Sequence, residues 1–315
     1  MFQKRLYDVV IIGGGPAGLS AALILARCVR SVLVFDTGKP RNFRAKQMNG
    51  FISRDGSDPR EFLRITREQV KQYPVDFVYQ EVVEAKKVSN NSFELVDADH
   101  NRYYAKKVLI ATGMVDDIPE IDGIDKFYGS SVHHCPYCDG WEVRLKPLAV
   151  IGKGRSGSGL ALSLTSWSDD VVLLTNGSTV TDDELQRLEL KNIQIIDKPV
   201  MRLEGDHGLL ERIVFVDGTS IERSAMFFTT DQYQRSNLAA QLGCDFTRKG
   251  GIKSSRFQQT SVNGVFVAGD VSKDVQLVIM AAAEGARAGV VINKALQKEE
   301  MNLKKVSDSI RLHHH

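Results

Sequence analysis

The sequence lacks the features that define several large classes of protein. It has only four cysteines in 315 residues, too few for a secreted fold held together by a disulfide framework. No apolar run approaches the roughly 20 residues of a membrane-spanning helix. Basic residues precede the apolar run Val9–Ile12, but Gly13–Gly15 follows it directly, which favours a buried strand over a signal peptide. We therefore expect a cytoplasmic protein with no membrane partner.

The charge balance does not point to a large anionic partner. The formal net charge is +2, so nucleic acid is not indicated as a partner. The hydrophobic fraction is 43% and the charged fraction 25%, as in ordinary globular proteins. The length is sufficient for two domains, and no low-complexity segment separates them.

A cysteine pair with a following acid is the most informative short motif. In Cys135-Pro-Tyr-Cys138, one thiolate can attack a disulfide and the other can resolve the mixed disulfide. Asp139 directly follows and is a candidate proton carrier. A zinc site would need a second pair of ligands. Because Cys28 and Cys244 stand alone in apolar surroundings, we expect both to be buried and predict no metal site.

A first dinucleotide-binding pattern occupies residues 7–36. A continuous apolar strand, Tyr7–Ile12, is followed by a glycine turn, a helix over Leu19–Ala26 and a second strand, Ser31–Phe35. Asp36 then stands where an acid binds a ribose hydroxyl, and the helix N-terminus faces the pyrophosphate. The turn is formed by Gly13, Gly15 and Gly18.

The segment after this pattern predicts a helix and a set of strands. Asp58-Pro59 is a helix start, and residues 75–110 predict short antiparallel strands. A further buried strand runs from Lys106 into Ala111-Thr112-Gly113. This order of elements suggests the nucleotide domain of a flavoprotein.

An internal repeat of the first pattern begins near Pro147. A strand at Leu148–Ile151 precedes a glycine turn, a helix from about Ser158 to Thr165 and a strand at Val171–Leu174. The residues after that strand are neither the acid typical of an NAD site nor the arginines typical of an NADP site. Lys153 and Arg155 are candidates for a pyrophosphate contact. The turn contains Gly152, Gly154 and Gly157.

The C-terminal part contains one more candidate for flavin binding. Strands with a hairpin at Asp217-Gly218 are predicted over residues 195–230. The strand Gly264–Ala268 leads into Gly269-Asp270, and a helix is predicted from Gln276 to Ala288. Asp270 is placed to bind a flavin ribityl hydroxyl near a helix N-terminus.

In this order the motifs give a chain that resembles the low-molecular-weight thioredoxin reductase family over nearly its whole length. The resemblance implies an α/β fold of two glutathione-reductase-type, Rossmann-like domains with three ββα layers, the second inserted in the first. It places an FAD-binding domain at 1–114 and 245–312, and an NAD(P)-binding-like domain with the redox pair at 115–244. It also implies a homodimer.

The resemblance further implies the roles of individual residues. Cys138 would face the flavin, Cys135 would attack the substrate disulfide, and Asp139 would be the acid–base. A nicotinamide nucleotide would lie on Gly152, Gly154 and Gly157. The FAD-binding positions implied are Gly13, Gly15, Pro16, Ala17, Gly18, Asp36, Asn49, Val83, Ala111, Thr112, Gly113, Gly269, Asp270 and Gln276.

Departures from the family pattern leave the electron donor and the substrate open. The family's arginine signature for NADPH is absent after Leu174, and Cys-Pro-Tyr-Cys replaces Cys-Ala-Thr-Cys. Three other motifs resemble a side branch of the family, namely Pro40-Arg41-Asn42, Asn49-Gly50 and Arg54-Asp55-Gly56. That branch contains dithiol oxidases of the gliotoxin and holomycin type and reductases that do not use NADPH. The oxidases often carry a histidine after the second cysteine, so Asp139 resembles the reductases. We weigh three functions: a disulfide reductase acting on thioredoxin or another disulfide, a small-molecule dithiol oxidase using O2, and a flavin-bearing redox sensor. The donors considered are NADPH, NADH, ferredoxin, a second flavin and the substrate dithiol.

Overall fold

The computed structural model describes residues 5–272 and 275–312, with side chains of the last helix described as far as residue 304. The chain divides into two compact units. The first comprises Met1–Arg41, Arg60–Val115 and Tyr233–His315, and the second comprises Asn42–Pro59 and Asp116–Gln232. In the part of the chain that is described, no helix combines the length and the apolar character needed to cross a membrane.

The elements follow one another in three stretches of the chain. The first contains β1 (Leu6–Ile12), α1 (Pro16–Arg27), β2 (Val32–Phe35), α2 (Pro59–Lys71), β3 (Val75–Val78), β4 (Val82–Ser89), β5 (Ser92–Asp97), β6 (Arg102–Ile110) and β7 (Met114–Asp116). The second contains α3 (Ile124–Phe127), β8 (Val132–His133), α4 (Pro136–Asp139), β9 (Leu148–Ile151), α5 (Gly154–Leu164), β10 (Val171–Leu174), α6 (Asp182–Glu189), β11 (Gln194–Ile196), β12 (Val200–Asp206), β13 (Leu209–Phe215), β14 (Ser220–Glu222) and β15 (Ala225–Phe228). The third contains β16 (Gln232–Gln234), α7 (Leu238–Gln241), β17 (Val265–Val267) and α8 (Val278–Leu312).

The first unit is built on a sheet with the order β3-β2-β1-β6-β5-β4, to which β17 adds alongside β6. Strand β1 pairs in parallel with β2 and β6, and β17 is parallel to β6. Val9 and Ile11 pack in a core with α1 and α8, whereas Val10 and Ile12 pack in the core on the other face. Burial on both faces explains why the Val9–Ile12 part of β1 is continuously apolar.

Parts of the predicted secondary structure were wrong in detail. β3 pairs in parallel with β2, not in the antiparallel meander. The strand expected at Lys106 is the end of the longer β6, which is antiparallel to β5 and parallel to β1. Helix α5 begins at Gly154 instead of near Ser158, and α8 begins at Val278 and extends to Leu312. The helix start at Pro59 is confirmed.

The second unit has an all-parallel sheet with the order β11-β10-β9-β15-β8. One face packs with residues of α5 and α6. The other face packs with the antiparallel sheet β12-β13-β14, whose second turn contains the predicted Asp217-Gly218. The unit therefore has the three ββα layers that the resemblance implies.

The two compact units differ from the expected domain boundaries at two places. Residues 233–244 belong to the first unit because Leu238, Leu242 and Cys244 are buried in its core. Residues 42–59 belong to the second unit. The assignment of the units as FAD-binding and NAD(P)-binding-like remains a prediction.

Helices α1 and α8 approach each other closely because α8 carries glycines where it faces α1. A Cβ added at Gly285 would collide with the carbonyl oxygen of Ala17 and lie 2.9 Å from its Cα. A Cβ at Gly289 would lie 3.0 Å from the Cβ of Ile24. Backbone cannot yield as a flexible side chain can, so these positions fix the distance between the helices.

Replacing Gly285 by alanine should therefore destabilise the protein. We expect Gly285→Ala to lower the free energy of unfolding by about 1–3 kcal/mol or more, as overpacked cores do. The matched control is Gly159→Ala on α5, where an added Cβ meets no atom within 4 Å; it should be neutral or stabilise by about 0.4–1 kcal/mol. Thermal and urea unfolding of both variants measure the difference, and equal midpoints would contradict it.

Candidate functional site

The first glycine turn is held against the end of a neighbouring strand. Gly13 has a φ of +116°, and a Cβ there would collide with the carbonyl group of Ala111. A Cβ at Gly18 would collide with the carbonyl oxygen of Gly13, whereas Gly15 has no atom within 4 Å of its added Cβ. The turn is thus closed on its protein side and open beside Gly15, as a pyrophosphate cradle requires.

The strand end next to this turn carries an unsatisfied hydroxyl. Thr112 Oγ1 is buried and has no hydrogen-bond partner among the described residues. Gly113 follows with a φ of +74° and open space around it. Buried polar atoms are normally satisfied, so an orphaned hydroxyl beside an open glycine turn fits a bound dinucleotide. Pro16 is the first residue of α1, and a Cβ added at Gly269 would lie 3.0 Å from the Cβ of Ala17.

Asp36, the first of the two acids predicted to bind the cofactor, has an arginine as its partner. Asp36, after β2, accepts a hydrogen bond from the backbone N–H of Gly38 at 2.8 Å and from Arg67 Nε at 2.9 Å. This orients the carboxylate at the end of the sheet. Arg67 lies on α2, and nothing in the sequence pattern marked it as a partner of Asp36.

Asp270 and Gln276 are brought together by a third side chain. Arg41 Nη1 donates to Asp270 Oδ2 at 2.9 Å and to Gln276 Oε1 at 2.6 Å. The ion pair is largely buried, with 14% of the Arg41 side chain and 19% of the Asp270 side chain exposed. Asp270 and Gln276 therefore lie close together; their binding of FAD stays a prediction, and Arg41 was not assigned a role.

Two other predicted cofactor-binding residues make specific contacts of a different kind. The Val83 carbonyl accepts a hydrogen bond from Gln241 Nε2 at 3.0 Å. Asn49 Nδ2 donates to the backbone carbonyl of Cys138 at 2.8 Å, so Asn49 lies beside the redox pair in the second unit. Binding of FAD by either residue remains a prediction.

The second glycine turn repeats the geometry of the first. Added Cβ atoms at Gly152 and Gly157 would overlap the facing glycine, and the one at Gly152 would also lie 2.9 Å from the Thr229 side chain. Gly154 is open, with a φ of +49°. Thr175 Oγ1, at the end of β10, is buried without a hydrogen-bond partner among the described residues. The turn therefore has the shape of a dinucleotide site.

The carboxylate of Glu184 adds a negative charge near the second glycine turn. Glu184 forms a capping box with Thr181 at the start of α6. Its pKa is lowered, chiefly by the backbone N–H of Thr181, with further contributions from the hydroxyls of Thr181 and Ser158 and from the charge of Arg155. Glu184 is therefore ionised at neutral pH and offsets Arg155, one of the two cations near the turn.

The redox cysteines lie together at the start of α4. The sulfur atoms of Cys138 and Cys135 face each other and lie 2.6 Å apart, closer than two thiols at van der Waals contact, so the pair is placed to form a disulfide. Both are free thiols and partly buried.

The other two cysteines differ in their burial. Cys244 is buried as predicted, but the prediction for Cys28 was wrong. Cys28 is exposed because it caps the C-terminus of α1, where the helix ends in solvent.

The surroundings of Cys135 favour its thiolate. Its pKa is lowered, chiefly by the hydrogen bond from the Cys138 thiol, and further by backbone N–H groups of Cys138 and Tyr137. Burial and the negative charge of Asp139 act in the opposite direction. A lowered thiol pKa is the property of an attacking cysteine.

A histidine that precedes the cysteine motif in the sequence lies near the acid of the redox pair. His133 is buried on β8, and its Nδ1 lies 3.4 Å from Asp139 Oδ1. Its Nε2 is buried without a hydrogen-bond partner among the described residues. His134 instead faces Tyr128, with 3.2 Å between Nδ1 and the hydroxyl. The motif alone could not show which of the two histidines faces the acid.

Aromatic rings frame the same turn. A Cβ at Gly140 would lie 2.8 Å from the Trp167 ring and 2.5 Å from the Pro136 carbonyl oxygen, so glycine is required for this packing. Tyr137 stacks edge-on against Trp167 with 5.6 Å between ring centroids. Tyr137 and Trp141 are both largely exposed. The turn that carries Cys135 and Cys138 therefore packs against Trp167 on one side, and the exposed rings of Tyr137 and Trp141 lie next to it.

Two glycine turns of dinucleotide shape and a close dithiol with an adjacent acid define a flavin- or nucleotide-linked disulfide oxidoreductase. The chain belongs to the pyridine nucleotide-disulphide oxidoreductase family, whose sequence model matches residues 7–285.

Several of the proteins that it is similar to are named as thioredoxin reductases. It is 33% identical to thioredoxin reductase tcpT of Claviceps purpurea (strain 20.1), over 94% of this chain and 96% of that protein. A putative thioredoxin reductase, TrxB, from Bacillus anthracis is 35% identical with a TM-score of 0.88, covering 93% of this chain and 99% of its own. HlmI is 33% identical with a TM-score of 0.95, covering 98% and 99%.

These comparisons confirm the resemblance seen in the sequence. The chain is a thioredoxin reductase-like disulfide oxidoreductase, and it has the α/β fold with two Rossmann-like domains that the resemblance implied. The individual site residues remain assignments from geometry and motif.

The pKa directions predict an order of thiol reactivity. In the reduced protein, iodoacetamide should alkylate Cys135 at a pH below that of an ordinary free thiol, because its pKa is lowered. Cys244 should resist labelling, because burial raises its pKa and blocks access. Peptide mass spectrometry across a pH series measures each rate. Faster labelling of Cys244 than of Cys135 at pH 7 would contradict the assignment.

Proposed function

We propose that this protein is an FAD-dependent disulfide oxidoreductase. Electrons pass between the flavin and the Cys135–Cys138 pair, and between that pair and a thioredoxin-like protein or a small disulfide or dithiol. The observation that supports this most directly is the 2.6 Å separation of the two sulfurs, together with the lowered pKa of Cys135. The proposal includes a homodimer in the cytoplasm, where such redox pairs are kept reduced.

FAD would be held at the carboxyl ends of the parallel strands of the first unit. The open space at Gly15 suits the pyrophosphate, and the orphaned Thr112 hydroxyl suits a polar atom of the cofactor. Asp36 and Asp270 would meet hydroxyls of the ribose and the ribityl chain. A bound flavin supplies a two-electron carrier.

The thiol chemistry follows from the residues of the pair. The Cys135 thiolate attacks the substrate disulfide, forming a mixed disulfide and releasing one thiol. Cys138 then loses its proton and attacks the Cys135 sulfur, which releases the second thiol and leaves a Cys135–Cys138 disulfide. Two protein thiols and one substrate disulfide thus give one protein disulfide and two substrate thiols. Asp139 would accept the proton from Cys138 and return it to the departing thiolate.

Removing Cys138 should stop turnover after the first attack. We expect Cys138→Ser to lower disulfide turnover by more than about 10³-fold, as loss of a reacting group does. It should also accumulate a mixed disulfide on Cys135, detectable as a mass increase of intact protein. The matched control, Cys28→Ser, removes an exposed thiol and should retain turnover. Full turnover by Cys138→Ser would exclude this mechanism.

The donor assignment is less constrained by the site. A nicotinamide nucleotide at the second glycine turn would find open space at Gly154 and the unpartnered Thr175 hydroxyl. It would find no acid for a ribose after β10 and no arginine for a 2′-phosphate. Glu184, ionised beside Arg155, disfavours a 2′-phosphate further. NADH, ferredoxin or a second flavin are therefore donors to be compared with NADPH.

The same observation favours a second candidate function, oxidation of a small-molecule dithiol with O2 as electron acceptor. In that direction the substrate itself is the donor, and the second turn needs no nucleotide. The reaction converts one dithiol and one O2 into one disulfide and one hydrogen peroxide, so its atoms and electrons balance. A redox sensor without turnover is the remaining alternative, and sustained turnover with any donor would exclude it.

An anaerobic titration distinguishes these functions. We expect the visible flavin band to bleach with dithiothreitol, because electrons can enter through the cysteine pair. Rapid bleaching by NADPH or NADH would establish a nucleotide-dependent reductase. If neither nucleotide bleaches the band, peroxide formed in air with one equivalent per dithiol would establish the oxidase. Purified protein without a flavin absorbance, and without any on reconstitution with FAD, would contradict the proposal itself.

A further inference from the structure

His133 occupies an environment that packing alone does not explain. It is only 6% exposed, and its ring lies 5.4 Å from that of Phe227, with which it is paired across β8 and β15. A residue buried only for packing would serve as well without nitrogen atoms. Its Nδ1 nevertheless lies 3.4 Å from Asp139 Oδ1.

We propose that His133 is a positioning residue that holds the Asp139 carboxylate beside the Cys135–Cys138 pair by donating its Nδ1–H to Oδ1. The proposal rests on the proposed function, in which Asp139 carries the proton of Cys138. In this proposal His133 acts through Asp139 and not on a sulfur atom.

The surroundings of the imidazole determine which tautomer can do this. Nδ1 faces a carboxylate, so it carries the hydrogen. Nε2 is buried and has no partner among the described residues. The proposed contact therefore uses the hydrogen on Nδ1, with Oδ1 of Asp139 as its acceptor.

The carboxylate needs such a partner because its charge opposes the chemistry next to it. The Asp139 side chain is 23% exposed, and its negative charge acts against the thiolate of Cys135. Without a donor behind it, the carboxylate would be better solvated by turning away from the pair. The Nδ1–H of His133 keeps it within reach of the proton that Cys138 loses when the mixed disulfide is resolved.

The other groups near this arrangement do not substitute for His133. The residues of β15 are Ala225, Met226, Phe227 and Phe228, none of which titrates. Asn49 bonds the Cys138 carbonyl, and His134 faces the hydroxyl of Tyr128. In the described part of the chain, Asp139 has a recorded ion-pair contact with His133, and the recorded charge that opposes the Cys135 thiolate is that of Asp139.

Two amide variants separate positioning from packing. His133→Asn places its amide N–H₂ near the position of Nδ1, whereas His133→Gln places it near Nε2. Both bury one amide, so their thermal midpoints should be similar. The control is His134→Gln, an equivalent change in the neighbouring histidine, which faces Tyr128.

The first readout does not depend on turnover. For the reduced protein, we measure the pH dependence of Cys135 alkylation by peptide mass spectrometry. In His133→Gln the carboxylate is released and its opposing charge weakens, so the midpoint should move about 0.5–1 pH unit lower, within the range that a nearby charge contributes. His133→Asn and His134→Gln should keep the wild-type midpoint.

The second readout is disulfide turnover. His133→Gln should lower kcat about 10- to 100-fold, as loss of a partner that orients a working group does, with KM for the disulfide unchanged. His133→Asn should recover most of this loss. An unchanged midpoint and kcat in His133→Gln would overturn the proposal, and so would equal changes in both amide variants, because a packing role does not distinguish them.

The two readouts also separate this inference from the proposed function. If the wild-type protein shows no disulfide turnover, the proposed function fails, but the alkylation midpoints still decide whether His133 holds Asp139. If turnover is present and the midpoints do not differ, only the positioning role fails. Should His133→Gln not fold, His133→Phe, which keeps a buried ring but has no nitrogen atom near Asp139, replaces it. A midpoint lowered in His133→Phe and not in His133→Asn supports the proposal, and a wild-type midpoint in His133→Phe overturns it.

Discussion

The parallel pairing of β1 with β2 and β6 is the constraint on which the first candidate site depends. Ile12 lies in register with Phe35 and with Ile110, and Ile110 with Val267 of β17. Four strands therefore end at the same level, although they are spread over more than 250 residues of sequence. The residues that follow each end, from the glycine turn to the two acids, gather at one edge because the sheet is parallel.

The same constraint operates a second time with different chemistry. Ile151 lies in register with Leu174 and with Phe228, so the second glycine turn meets Thr175 and Thr229 at the sheet edge. The close glycine contacts are reproduced, because backbone geometry alone requires them. The charges are not reproduced, since threonine stands where the first unit has Asp36. The two glycine turns therefore share their close backbone contacts but differ in charge. This is expected if folding requires only the backbone contacts.

The parts that were predictable from sequence are those with a local physical signature. The strand–glycine–helix units, the Pro59 helix start and the cysteine pair each lie within a short stretch whose spacing has a geometric meaning. Residues recruited from elsewhere have no such signature. Arg67 reaches Asp36 from α2, Arg41 joins Asp270 to Gln276, and Asn49 bonds the Cys138 carbonyl. Only the tertiary fold determines those pairs, and the same holds for the exposure of Cys28 and the burial of His133.

Electrostatics around the cysteine pair link these observations to its chemistry. The Cys138 hydrogen bond and the backbone N–H groups favour the Cys135 thiolate, whereas Asp139 opposes it. An acid that only destabilised the attacking thiolate would be a disadvantage at this position. It becomes useful when a proton must leave Cys138 and reach a departing thiolate, because a carboxylate next to the pair can carry it. In the proposed mechanism this charge serves the second half of the exchange, and the proposed contact with His133 would hold the carboxylate beside the pair.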